Sequence, residues 1–179
     1  MKIVQTILVS FVIIGFLGCA TLNEESKSFV DKCTRIEGGN TMYKKLTTNM
    51  MVEDVNRTID FYGDILRFEF VMAVPENSQE IVTKRKKGQT LDFAIMKCGD
   101  VQVMFQARKS LSQEIPEVSG MEIGGSLTFY IEVQDVKGLY EELKDKATII
   151  RGIETKFYGK QEFYIRDCNG YIWGFAGGL

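Results

Sequence analysis

Glu132 ends the stretch Thr128-Phe129-Tyr130-Ile131-Glu132, in which apolar and polar side chains alternate. Alternation of this kind marks a half-buried strand. The apolar series Phe129, Ile131 and Val133 claims the core side, so Thr128, Tyr130 and Glu132 stand on the opposite face. A carboxylate there, once desolvated, has a raised pKa and can act as a general base; at a hydrated rim it does no chemistry. Glu132 is the one carboxylate this reading places on that face. The chain has no histidine. It therefore lacks the commonest metal ligand, the usual general base and every histidine-based triad. Catalytic candidates reduce to Glu132, and the balance leans away from an enzyme. Arg108 and Arg166 suit either an anion or exposed salt bridges.

Two strand-then-helix segments must position these residues. "TTNMMVEDVNRTIDFYGDIL" starts at Thr47 and "TFYIEVQDVKGLYEELKDKA" at Thr128. In each, a short strand leads into Asp-Val and then an amphipathic stretch. Asp54 and Asp135 are suitable N-caps, because a carboxylate accepts from the free amides of a first turn. Val55, Ile59, Tyr62 and Leu66 recur at helical spacing, as do Val136, Leu139, Tyr140 and Leu143. Strand patterns follow each helix: 68–74, 91–97 and 101–106, then 147–150, 162–167 and 171–175. "MKCGDVQVMF" and "RDCNGYIWGF" echo one another near the end of each set, with a cysteine, a tight turn and a strand ending in Phe. The chain thus predicts an α+β fold of two βαβββ repeats, residues 42–110 and 124–179, in a single domain, 42–179. "SLSQEIPEVSGMEIGG" reads as the linker between them. Each repeat is a curved four-stranded sheet with a helix on one face. Two such units side by side form a cup of mixed sheets, the kind of concavity where small molecules bind. Alternation puts Thr47, Asn49 and Met51 on the concave side of the first repeat, with Gln102, Met104 and Gln106. Ile172 and Gly174 join them from the second. This lining of hydroxyl, amide, thioether and phenol suits a neutral or mildly polar organic ligand. Trp173 points the other way, into the core or a dimer contact.

Composition limits the partners. The 179 residues are 45% hydrophobic and 26% charged, with a net charge of −2. That is a globular profile with nothing to attract nucleic acid. The basic run Lys84–Lys87 reads as an exposed hairpin tip. The N-terminus carries Lys2 and an apolar run, Ile3–Leu17, shorter than the ~20 apolar residues a spanning helix needs. Residues 1–18 are expected to be an export signal. "FLGC" resembles the lipobox of bacterial lipoproteins, although Phe16 and Leu17 are bulkier than usual. Lipidation of Cys19 would anchor the chain in a membrane of the bacterial cell envelope, with the polar residues 19–41 as a tether. Cys33, Cys98 and Cys168 remain, an odd number read as free thiols with one pair open.

The motifs "VEDVNRTIDFYGDILRF", "LTFYIEVQDVKGLYEELK" and "YGKQEFYIRDCNGYIWGF" resemble the vicinal oxygen chelate superfamily of glyoxalase I, extradiol dioxygenases and bleomycin-resistance proteins. The resemblance runs from about Lys45 to Phe175. Where the family's last hairpin has Asp-Pro-Asp-Gly, this chain has Asp167-Cys168-Asn169-Gly170, which keeps the turn chemistry. The metal enzymes of that superfamily hold a divalent ion from four strand positions, which map to Thr47, Met104, Thr128 and Gly174. A hydroxyl is a weak ligand, a thioether prefers soft ions and glycine has no side chain. The resemblance therefore implies a metal-free, cofactor-free binder of a small organic ligand. Its contacts are Thr47, Asn49, Met104, Gln106, Thr128, Tyr130, Tyr158 and Gly174. In relatives an aromatic at the Tyr158 loop covers the ligand; the plainer reading is a surface aromatic packed on its own loop. Relatives commonly pair, so a homodimer is an expected partner. Two alternatives stay open: a metal-dependent lyase, isomerase or dioxygenase of the same superfamily, and a structural lipoprotein whose cup is filled by its own side chains. Met42, Met50, Met51, Met96 and Met104 are flexible filler for the latter.

Overall fold

The structure is a computed structural model and describes residues 43–178. The expected signal, Cys19, Cys33 and the 19–41 tether lie outside the described residues. The repeats fall in one compact unit that begins at Thr47.

The first repeat runs β1 (Thr48–Val52), α1 (Val55–Asp64), β2 (Glu69–Pro75), β3 (Leu91–Cys98) and β4 (Val101–Ala107). The second runs β5 (Thr128–Glu132), α3 (Val136–Leu143), β6 (Thr148–Thr155), β7 (Gln161–Arg166) and β8 (Ile172–Gly177). Each builds a four-stranded mixed sheet of the same order, β1-β4-β3-β2 and β5-β8-β7-β6. In each, the first and last strands are parallel and the other pairs antiparallel. This is the α+β, twice-repeated βαβββ architecture that the helix caps and strand patterns predict.

Local chemistry accounts for both long helices. Asp54 accepts from the Arg57 amide at 3.0 Å, and Asp135 from the Gly138 amide at 2.8 Å. Val55, Ile59 and Tyr62 bury one stripe of α1, and Val136 and Leu143 one stripe of α3. Leu66 lies beyond the end of α1, which stops at Asp64. The segment expected to be plain linker is partly helical. It contains α2 (Arg108–Glu114), which buries Leu111, and a 3₁₀ turn (Pro116–Val118). A seven-residue helix leaves too short a periodic signal to read in sequence, and only tertiary packing makes such a helix stable.

The joint between the repeats is aromatic and hydrogen-bonded. Trp173 is 1% exposed and stacks on Phe129 at 4.5 Å between ring centroids. It also meets Tyr62 of α1 edge-on at 5.8 Å. The Asp167–Gly170 turn of the second repeat docks on α1 of the first. Asn169 donates to the Thr58 hydroxyl at 3.0 Å, and Arg57 donates to the Cys168 carbonyl at 3.1 Å. Tyr171 donates to the Met51 carbonyl at 2.9 Å. Burying an aromatic as large as Trp173 contributes a few kcal/mol, on the order of 25 cal/mol per Å² of apolar surface removed from water.

Candidate functional site

Strand alternation places the expected ligand contacts on the faces turned away from α1 and α3, where they divide into two groups. In the first repeat Asn49 lies beside Met104 in register. Its amide donates to the Gln106 carbonyl oxygen at 2.7 Å. Gln106 is buried and donates in turn to Ser110 at 3.1 Å and to Glu114 at 2.8 Å, both on α2. The amide that was expected to face a ligand is therefore held by the helix behind it. Thr47 is half-buried and precedes β1.

In the second repeat the centre is Glu162 on β7, a carboxylate with no exposed surface. It accepts from Tyr130 at 2.7 Å, from Tyr164 at 3.0 Å and from Tyr158. Burial alone pushes its pKa up. The hydrogen bonds from Tyr158, Tyr130 and Tyr164, with the charge of Lys156, outweigh that and hold it below the ordinary carboxylate value. The three phenols are pushed up, by burial first and then by their bonds to Glu162. The cluster thus consists of an ionised carboxylate and three neutral phenols, all within hydrogen-bonding reach. Tyr158 packs on its own loop, its ring edge-on against Phe157 at 4.8 Å, and in addition donates its hydroxyl to Glu162.

Two readings of single residues change. Glu132 is not the only carboxylate on the concave side, because Glu162 shares that face from β7. Glu132 itself has a side chain 70% exposed and pairs with Lys160, so the structure leaves it hydrated at the rim. Thr128 is exposed at the start of β5. Glu162 and Tyr164 carry a readable signal, because "QEFYIR" follows the same alternation. Gln161 to Arg166 in steps of two puts Glu162, Tyr164 and Arg166 on one face.

The same geometry tests whether a divalent ion fits. Gly174 is buried and sits in register with Tyr164. A Cβ placed on Gly174 would meet the Tyr164 ring at 2.6 Å. A ligating side chain cannot be added there without moving the ring. Both oxygens of Glu162, the buried carboxylate of this face, are already acceptors for phenols. Thr47, Met104 and Thr128 supply no hard anionic donor. No group of three or more His, Cys, Asp or Glu residues that could hold a metal ion occurs among the described residues. The donor set does not fit the metal of the enzymes in the superfamily that the sequence resembles. Cys98 and Cys168 are free thiols. Cys168 is pushed up to about 11, mainly by burial and then by Asp167, so it stays protonated.

Open volume lies at the joint instead. A cavity of about 990 Å³ is lined by Asn49 and Met51 of β1, Leu111 of α2, Val118 and residues 121–127 between the repeats, Arg166, Gly170 and Tyr171. Of the expected contacts, Asn49 alone lines it. Gly124 lets the linker approach the Asn169–Gly170 turn: its φ is +85°, and a Cβ there would come within 2.9 Å of the Gly170 backbone. The two weighed arginines separate here. Arg108 pairs with Glu53 at 2.7 Å and donates to the Met121 carbonyl at 3.0 Å. Arg166 is exposed, lines the cavity and makes no side-chain ion pair or hydrogen bond among the described residues.

Comparison with known proteins agrees with this architecture. The sequence model of the Glyoxalase/Bleomycin resistance protein/Dioxygenase superfamily matches residues 46–175. No curated protein matches the chain. Among solved structures, a protein of unknown function from Agrobacterium tumefaciens str. C58 is 20% identical, with a TM-score of 0.58 over 79% of this chain and 98% of its own. A glyoxalase/bleomycin resistance protein/dioxygenase superfamily member from Sphaerobacter thermophilus is 18% identical, with a TM-score of 0.56 over 76% of this chain and 98% of its own. TioX from Micromonospora sp. ML1 is 18% identical, with a TM-score of 0.54 over 76% of this chain and all of its own. At these identities the likeness is one of fold.

Proposed function

The chain belongs to the glyoxalase/bleomycin resistance/dioxygenase superfamily, and from that premise we propose that it is a small-molecule-binding protein that works without a metal, exported and held to a membrane through lipidated Cys19. One observation carries the metal-free part. At Gly174, where the metal enzymes place a ligand, the Tyr164 ring lies so close that a Cβ would meet it at 2.6 Å. That ring belongs to the network that also ties up Glu162. Catalysis by a metal enzyme of this superfamily needs hard donors at those positions, and the chain offers Thr47, Met104, Thr128 and Gly174.

The networks around Gln106 and Glu162 also favour part of a second reading, in which the concave faces are filled by their own side chains. The joint cavity supports the small-molecule reading. At about 990 Å³ it is at the upper end of what small-molecule sites occupy, roughly 300–1,000 Å³. Membrane attachment rests on Lys2, the apolar run Ile3–Leu17 and Gly18-Cys19. Among the described residues no helix is long and apolar enough to cross a membrane.

Elemental analysis of protein purified without chelator, followed by thermal unfolding with a panel of organic compounds, tests this. We expect far less than one divalent ion per chain, no shift on adding Mn²⁺, Ni²⁺ or Zn²⁺, and a shift with at least one compound. A ligand present at 100 times its Kd adds ~2.7 kcal/mol. A stoichiometric ion would refute the metal-free reading, and silence across the panel would favour the filled-cup reading.

A further inference from the structure

The chemistry of the joint cavity narrows the ligand class, an inference that rests on the small-molecule reading above. We propose that the cavity takes a compact amphiphile with one carboxylate headgroup, seated at Arg166, and an apolar body packed over Met51, Leu111 and Tyr171.

The burial of the lining gives the cavity a direction. Met51 is 6% exposed, Leu111 6% and Tyr171 7%, so these three form its floor. The one polar group on that floor is satisfied, since the Tyr171 hydroxyl already donates to the Met51 carbonyl. A polar ligand group reaching the floor would lose its water and gain no partner there, which is unfavourable. An apolar group pays no such penalty. The rim is different. Arg166 is exposed and unpaired among the described residues, whereas Arg108 is taken by Glu53 and does not line this cavity. A guanidinium offers a planar fork of donors that matches a carboxylate bidentately. Asn49, which also lines the cavity, adds an amide, itself oriented by Gln106. Glu122 also lines the cavity and disfavours further negative charge on the ligand, which favours a single carboxylate over a dianion.

The linker wall supplies the second observation. Met121 is 56% exposed and Leu127 49%, both lining this cavity. Large apolar side chains gathered at one cavity and left in water mark a place where apolar material binds. Together the wall and floor form an apolar slot with a lone cation at its mouth.

Isothermal titration of the full chain with decanoate, decanol and decylammonium, each below its aggregation threshold, tests the assignment. We expect one decanoate per chain, bound at least tenfold tighter than decanol, with decylammonium weakest. Arg166→Gln should weaken decanoate about tenfold and leave decanol within a factor of two. Ser126→Trp, at an exposed lining position where bulk does not disturb the core, should abolish both. Decanoate binding indifferent to Arg166→Gln, or decylammonium binding as tightly as decanoate, would overturn the carboxylate class. If decanol still bound and Ser126→Trp still blocked it, the small-molecule reading would survive. Tight binding unaffected by Ser126→Trp would remove the cavity from the proposal. No binding by any of the three would also overturn it, and the wider thermal panel would then decide the small-molecule reading separately.

Discussion

Tyr62 on α1 of the first repeat donates to the carboxylate of Asp167 in the last turn of the second, at 2.7 Å, while accepting from Trp173 Nε1 at 3.0 Å. All three side chains are buried. One phenol therefore completes two buried polar atoms, Asp167 Oδ2 and Trp173 Nε1. Asp167 is further held by the amides of Asn169 at 2.9 Å and Tyr171 at 2.8 Å, which shape the turn that docks on α1.

Removing that hydroxyl should cost more than one ordinary hydrogen bond. Tyr62→Phe keeps the ring contacts with Phe68, Phe105 and Trp173 but leaves the Asp167 oxygen and the Trp173 N–H unmatched. Each buried orphan costs ~1–3 kcal/mol. We expect a loss of about 2–4 kcal/mol by urea denaturation, in one transition, because the bond couples the two repeats. A loss under ~0.5 kcal/mol, or two separated transitions, would contradict this role.

The two buried carboxylates should shift stability with pH in opposite directions. Glu162 sits below its ordinary value of 4.5 in the folded state: burial raises its pKa, but the tyrosine bonds lower it further. Its stabilisation is present above 4.5 and lost as pH falls through the lower folded value. Asp167 is raised above its ordinary 3.8, chiefly by burial, against the lowering effect of Tyr62 and the turn amides. Its contribution is full below 3.8 and declines as pH rises through the folded value. Glu162→Gln should therefore destabilise the protein by about 2 kcal/mol near neutrality and progressively less in acid. Asp167→Asn should show the reverse trend. Equal penalties at pH 3 and pH 7 for either variant would rule out the linkage.

How much of this was legible depended on how local the cause was. Asp54 and Asp135 could be read as caps because each carboxylate binds an amide three residues on. The strand faces were equally readable, since alternation needs only the neighbouring residues. Glu162 was within reach of the same rule, and carrying the alternation along β7 would have found it. The Tyr164 ring over Gly174 was not, because it depends on which residue of β7 lies opposite β8. The joint cavity was the least accessible feature. It requires α2 to fold behind Gln106 and Gly124 to meet the Gly170 turn, contacts that join segments tens of residues apart. Arg166 illustrates the gap: the sequence leaves an anion contact and an exposed salt bridge both open, and the fold sets the side chain at a cavity with no ion pair among the described residues.

Lipidation can be tested apart from ligand binding. If Cys19 is acylated, a Cys19→Ala variant expressed in bacteria should lose incorporation of labelled palmitate and partition to the soluble fraction. Each buried methylene contributes ~0.8 kcal/mol to anchoring, so losing whole acyl chains is decisive. Purified Cys19→Ala protein should bind compounds as the parent does. A variant that keeps both the label and the membrane fraction would refute the anchor.

Gly174→Ala tests whether the Tyr164 ring really occupies the position where relatives place a ligand. The new Cβ would meet Tyr164 Cε1 at 2.6 Å and Cδ1 at 3.1 Å. Strand β8 is fixed by β5 and β7 on either side, so the ring has to move. Moving it breaks its 3.0 Å bond to Glu162. Overpacking of this kind costs ~1–3 kcal/mol. The decisive comparison is the double variant Gly174→Ala with Tyr164→Ala. Tyr164→Ala alone should destabilise by losing a phenol and a ring. If the ring is the obstacle, adding Gly174→Ala to that background should cost almost nothing, since the space is then empty. The coupling between the two positions should be at least 1 kcal/mol. Additive penalties would mean that the ring does not lie over Gly174, and the structural case against a ligand at that position would fail with it.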